Sequence, residues 1–179
     1  MIKLKDILFE STAPDIFVPR RLEDRVERLI MLYVKNGSKG DLRINQLDLT
    51  ELPAILKNVT VNGDFVCEMN QLTSLKNSPK YVSNNFLCND NILTSLEGAT
   101  DHVGGSFYCS WNNLTSLAGA PKIVDKDFSC GFNKIKFTEQ QVRAVCNVKG
   151  DLYGIERDPK NSWKKFNFPS LFIPSLDIY

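Results

Sequence analysis

Histidine is almost missing from this chain of 179 residues, which carries only His102. General acid–base work and metal binding near neutral pH lean on that side chain more than on any other. No Ser/His/Asp or Cys/His pairing can be read from the sequence, and His102 stands beside Val103 in what reads as a return loop, a place for a solvated side chain. A phosphate loop is excluded as well, because Gly104-Gly105 is followed by no Lys-Ser/Thr. Net charge is nearly absent: 22 Lys+Arg against 21 Asp+Glu leave +1, which gives no general attraction to nucleic acid or to an anionic membrane. Long apolar runs are missing too, and none approaches the roughly 18 residues of a spanning helix. The opening MIKLKDILFE has charges inside its apolar stretch and no small-residue cleavage pattern, so it does not read as a signal peptide.

What is present in quantity is repetition. Phe65, Phe86, Phe107 and Phe128 lie 21 residues apart, and Cys67, Cys88, Cys109 and Cys130 keep the same step. Asn70, Asn91, Asn112 and Asn133 follow in phase, then Leu72, Leu93, Leu114 and Ile135. Val61, Val82, Val103 and Val124 each stand four residues before a Phe. Self-similarity at a fixed period of this length means a solenoid, propeller or array.

Stacking explains the rows. In F-x-C the Phe and Cys point to one side of a short strand and the residue between them to the other. One such unit cannot bury its apolar side, but parallel rungs laid on one another bury it as a continuous core. The Asn row falls where the chain turns out of the strand. There its amide can serve backbone groups that a bend leaves unpaired, and an unpaired buried group is costly.

Four of the five cysteines occupy one inward position of successive rungs, which is a packing role and not a C-x-x-C ligand pair. They read as reduced, buried thiols of a cytoplasmic protein. Asp64 and Asp127 share a repeat position that is Asn85 and Ser106 in the rungs between, so no acidic ladder for Ca²⁺ forms. The expectation is a chain with no metal, no cofactor and no catalytic residue.

The unit F-x-C-x-x-N-x-L-T-S-L, best seen in Gly105–Cys109 (GSFYC) and Asn112–Lys122 (NNLTSLAGAPK), resembles the short leucine-rich repeats of the LTSLxGAPK/GGxFxCxxN type. Such repeats occur in tailed-phage and bacterial hypothetical proteins. About half the chain carries the likeness; Thr100 replaces the Pro of Pro79 and Pro121, and the last unit loses T-S-L after Ile135. The resemblance implies an α/β solenoid: a short leucine-rich-repeat stack of parallel strands with an N-terminal helical cap, a C-terminal cap and a tail. It also implies a non-catalytic, protein-binding scaffold encoded by a phage, and it carries over no catalytic residue.

Along the chain, 1–39 is expected to hold a lead-in and a capping helix over about 19–36, with an apolar stripe of Leu22, Val26, Leu29, Ile30 and Tyr33. Its arginines alternate with Glu23, Asp24 and Glu27 and read as a solvated face. Residues 40–135 form the solenoid, beginning with a degenerate rung in which Leu42, Ile44 and Leu47 take the places of Phe65, Cys67 and Asn70. Residues 136–179 form a C-terminal cap and an apolar tail; Thr138 is N-cap-like, and Val148 to Leu152 echoes Val61 to Phe65, so one more strand is expected. The tail from Phe166 to Tyr179 is too apolar for a solvated segment; it either folds back along the solenoid or docks on another protein.

Function is expected on the outward strand places, which vary from rung to rung: Val66, Leu87, Tyr108 and Ser129 in one row, Glu68, Asn89, Ser110 and Gly131 in the next, then Met69, Asp90, Trp111 and Phe132 at the strand exit. Aromatic side chains and Met are enriched in protein interfaces, and Trp and Tyr in their hot spots. Parallel strands ~4.8 Å apart make five rungs only about 19 Å long, so the strip offers on the order of 200 Å² against about 800 Å² per partner in a standard interface. A protein partner must therefore engage loops, helix or tail as well. The partner is expected to be a host protein bound by a free effector in the host cytoplasm. The alternative is a virion subunit docked through the tail. The oligomeric state is left open.

Overall fold

The computed structural model describes residues 22–156. The lead-in before Leu22 and the apolar tail after Glu156, with Phe166–Tyr179, lie outside the described residues. Helix α1 spans Leu22–Lys35 and buries Val26, Leu29, Ile30 and Tyr33, four residues of the stripe that the spacing predicts; the side chain of the fifth, Leu22, lies outside what is described. Gly37 ends it at φ +77°, with its N–H donating to Val34 and that of Ser38 to Tyr33.

After β1 (Leu42–Arg43), a 3₁₀ turn over Ala54–Asn58 leads to β2 (Thr60–Val61) and β3 (Phe65–Val66). The coil then repeats as β4 (Tyr81–Val82) with β5 (Phe86–Leu87), β6 (His102–Val103) with β7 (Phe107–Tyr108), and β8 (Ile123–Val124) with β9 (Phe128–Ser129). Helix α2 (Glu139–Val145), opened by a capping box between Thr138 and Gln141, precedes β10 (Asn147–Val148) and β11 (Leu152–Tyr153). The strand expected after Val148 is present.

Two parallel sheets result among the described residues, one ordered β1-β3-β5-β7-β9-β11 and the other β10-β8-β6-β4-β2. Leu42, Phe65, Phe86, Phe107, Phe128 and Leu152 stand in register across the first. Val61, Val82, Val103, Val124 and Val148 run across the second. The fold is thus the expected α/β solenoid of parallel rungs with a helix at its start. The second sheet is a finding beyond the sequence pattern, in which the Val row reads as part of return loops.

All four repeat Phe rings are fully buried, and neighbours meet at 5.0, 5.3 and 5.3 Å between centroids. The repeat cysteines are at most 1% exposed, and all five cysteines of the chain are free thiols. Each Asn ties two rungs together. Asn91 accepts from Leu72 N at 3.0 Å and donates to the carbonyls of Cys67 at 3.1 Å and Cys88 at 3.2 Å. Asn70, Asn112 and Asn133 repeat the pattern. Leu47 stands in the Asn place of the first rung, which has no earlier strand to tie among the described residues.

Candidate functional site

Strand alternation turns one row of the first sheet away from the Phe and Cys core. The register sets Arg43, Val66, Leu87, Tyr108, Ser129 and Tyr153 side by side in that row. Val66 corrects the expectation: it is fully buried, a short branched side chain between the longer Arg43 and Leu87, and it has no surface to offer. Leu87 and Glu68 are partly covered, while Met69 is exposed and meets Gln46, whose Nε2 lies 3.0 Å from its sulfur.

Towards the last rungs the outward places converge on a surface cleft of roughly 450 Å³. Asn89, Asp90, Tyr108, Ser110, Trp111 and Phe132 line it, as the row pattern proposes; Glu68, Met69 and Leu87 lie on its N-terminal side and do not. Ser129, Gly131, Tyr153 and Gly154 complete the lining. Tyr153 escapes a search at the 21-residue step because the step from Phe128 to Leu152 is 24, although the echo at Val148 to Leu152 places it directly after that strand.

The wall of the cleft is built on an unusual backbone. Gln46, Met69, Asp90, Trp111 and Phe132 occupy the same exit position of successive rungs, and all are left-handed, with φ between 52° and 58°. For bulky side chains that conformation is a genuine outlier, disfavoured by about 1–2 kcal/mol per residue. Two of these positions carry large aromatics. The rings of Trp111 and Phe132 stack at 4.0 Å with 9° between planes, yet remain 55% and 71% exposed.

The floor is small and polar. Asn89 Oδ1 accepts from Ser110 N at 2.9 Å, Ser110 Oγ accepts from Gly131 N at 3.1 Å, and the hydroxyls of Ser110 and Ser129 are 2.9 Å apart. Gly154, at φ +72°, packs so tightly on Gly131 that a Cβ there would fall 2.2 Å from the Gly131 Cα. Asp90 places a carboxylate on the rim, and among the described residues no Lys or Arg lines the cleft.

The other groups with chemistry have structural partners. Asp41, Asp64, Asn85, Ser106 and Asp127 each accept from the backbone N–H of the next rung, at 2.8–3.2 Å, so the recurrent aspartates belong to a hydrogen-bond ladder. Burial pushes the thiols up, to about 11 for Cys130 and Cys146, away from reactive thiolate. His102 corrects a second expectation: it lies in strand β6, and its Nε2 is 2.8 Å from Asp125 Oδ2. Lys149 reaches the other oxygen of Asp125, and the Tyr81 ring meets His102 edge-on at 5.5 Å. Hydrogen bonds from Lys149 and then His102 hold the Asp125 carboxyl below its ordinary value. Among the described residues no group of three His, Cys, Asp or Glu side chains is placed to hold a metal ion, and no helix is long and apolar enough to cross a membrane.

Fold and face together define the class: a short α/β solenoid of stacked parallel rungs that carries an aromatic-walled cleft on one sheet. The sequence matches no protein-family model, and a comparison with curated proteins finds no significant match.

Proposed function

We propose that this chain is a non-catalytic protein-binding module whose contact surface centres on the Trp111–Phe132 wall. The observation that carries the reading is the exposure of two stacked aromatic rings on left-handed residues of consecutive rungs. Folding alone favours Gly or Asn at such positions. Large rings kept there in water are a feature of recognition surfaces, where they act as rigid anchors. Six rungs extend the face to about 24 Å, still short of a standard interface, so the partner also reaches the loops beyond the strands.

The likeness to tailed-phage repeats supports a host protein as that partner, bound in the host cytoplasm by a free effector. The alternative, a particle subunit docked through residues 166–179, rests on residues outside the described ones, and the cleft favours the first reading. The test is affinity capture from host cells with the native chain, Trp111→Ala, Phe132→Ala and the double variant as baits. Both rings are exposed, so the variants are expected to keep the native far-UV circular dichroism while losing the captured protein. Equal capture by the folded double variant would overturn the proposal.

A further inference from the structure

We infer that Asp90 and Trp111 form a pocket for a basic side chain, arginine above all, presented by an extended segment of the partner; this rests on the protein-binding reading of the same cleft. Asp90, Trp111 and Phe132 follow one another at the exit position of successive rungs, about 4.8 Å apart along the stack. Phe132 covers one face of the Trp111 ring at 4.0 Å. The opposite face is left on the side of the Asp90 rung, and the ring as a whole is 55% exposed. A π-face beside a carboxylate is the pairing that a guanidinium satisfies at once, stacking through its plane and donating to the carboxylate from its edge.

No described residue fills this place. Asp90 is exposed, no described basic side chain forms an ion pair with it, and none lines the cleft. Lys122, Lys149 and Arg143 are engaged by Asp101, Asp125 and Glu139 instead. The floor of Ser110, Ser129 and Gly131 bears no bulky group, so a partner's main chain can run low across it. A lysine fits less well, since its ammonium is a compact, strongly hydrated point charge without a plane to stack.

The test reads the indole N–H resonance of Trp111 in the ¹⁵N-labelled full chain, assigned by its loss in Trp111→Phe because Trp163 is the only other tryptophan. The probes are acetyl-Gly-Gly-Arg-Gly-Gly-amide, its lysine analogue, and its citrulline analogue, which keeps the shape and loses the charge. The arginine peptide is expected to give a saturable shift, the lysine peptide a weaker one and the citrulline peptide none. In Asp90→Asn the arginine affinity is expected to fall by about two- to fivefold, the size of an exposed ion pair. A citrulline shift equal to that of arginine, an unchanged Asp90→Asn affinity, or no shift with any peptide would overturn the pocket. If Trp111→Ala still loses the captured partner in that event, the docking surface stands and only the basic-side-chain pocket falls; if capture survives too, both fall.

Discussion

A single asparagine in each of four coils makes contacts that no apolar residue could replace. Asn112 is 6% exposed; it accepts from Leu93 N at 3.1 Å and donates to the carbonyls of Cys88 and Cys109 at 3.0 and 3.3 Å. Asn112→Ala leaves buried backbone groups of two rungs unpaired, each costing about 1–3 kcal/mol. The expected loss is about 3 kcal/mol, read as a lower denaturant midpoint at unchanged slope. The neighbouring exit position behaves in the opposite sense. Met69 is left-handed at φ 53° and 48% exposed, so its side chain contributes little to offset the strain. Met69→Gly is expected to raise stability by about 1 kcal/mol, a melting shift of about 2–4 °C, whereas Met69→Ala brings no such gain. The sequence shows which residue holds each exit position but not its backbone sign. The Asn step was legible because one residue type recurs, while the exit row holds Gln46, Met69, Asp90, Trp111 and Phe132, with nothing in common but geometry.

At the scale of the strand, the thiol row adds a pH dependence. The Cys67, Cys88 and Cys109 thiols donate to carbonyls of the next rung at 3.4, 3.2 and 3.3 Å, and burial raises their pKa in the folded chain. Cys130 and Cys146 rise from 9.0 to about 11. An acid whose folded pKa is raised stays protonated in the native state while the unfolded chain ionises. Stability is therefore complete below pH 9 and falls as pH rises through 9 to 11, by up to about 1.4 kcal/mol per pH unit for each such thiol. Denaturation midpoints across that range check the slope, and a thiol reagent at pH 7.5 should label no cysteine until the chain unfolds. The inward Phe–Cys alternation was readable because three residues suffice to show it. Strands such as Tyr81–Val82 are two residues long and show no alternation. That is why the second sheet, and with it the contact of His102 with Asp125, appears only once the rungs are stacked.

For the molecule as a whole, a stack of near-identical coils should tolerate the loss of one coil but not of part of one. Stability in such arrays is approximately a sum of unit and neighbour terms. The cleft needs only the later rungs, from Asn89 to Gly154. Removing Asp64–Asn84, 21 residues, joins Gly63 to Asn85 and brings Phe86 beside Leu42 in the place that Phe65 held. The Phe, Cys and Asn rows stay in phase, Val82 leaves as Val61 takes its place beside Val103, and buried Val66 goes with the excised unit. This variant is expected to fold cooperatively with lower stability, to keep its far-UV spectrum per residue and to retain partner capture through Trp111. A deletion of Asp64–Ser83, 20 residues, leaves one residue too many between Val61 and Phe86 and throws the inward side chains of every later strand out of step with the first coil. It should lose cooperative unfolding although it removes less of the chain. Equal behaviour of the two deletions would mean that the rungs do not fold as interchangeable units, and the outward face would then have to be understood without the stack that positions it.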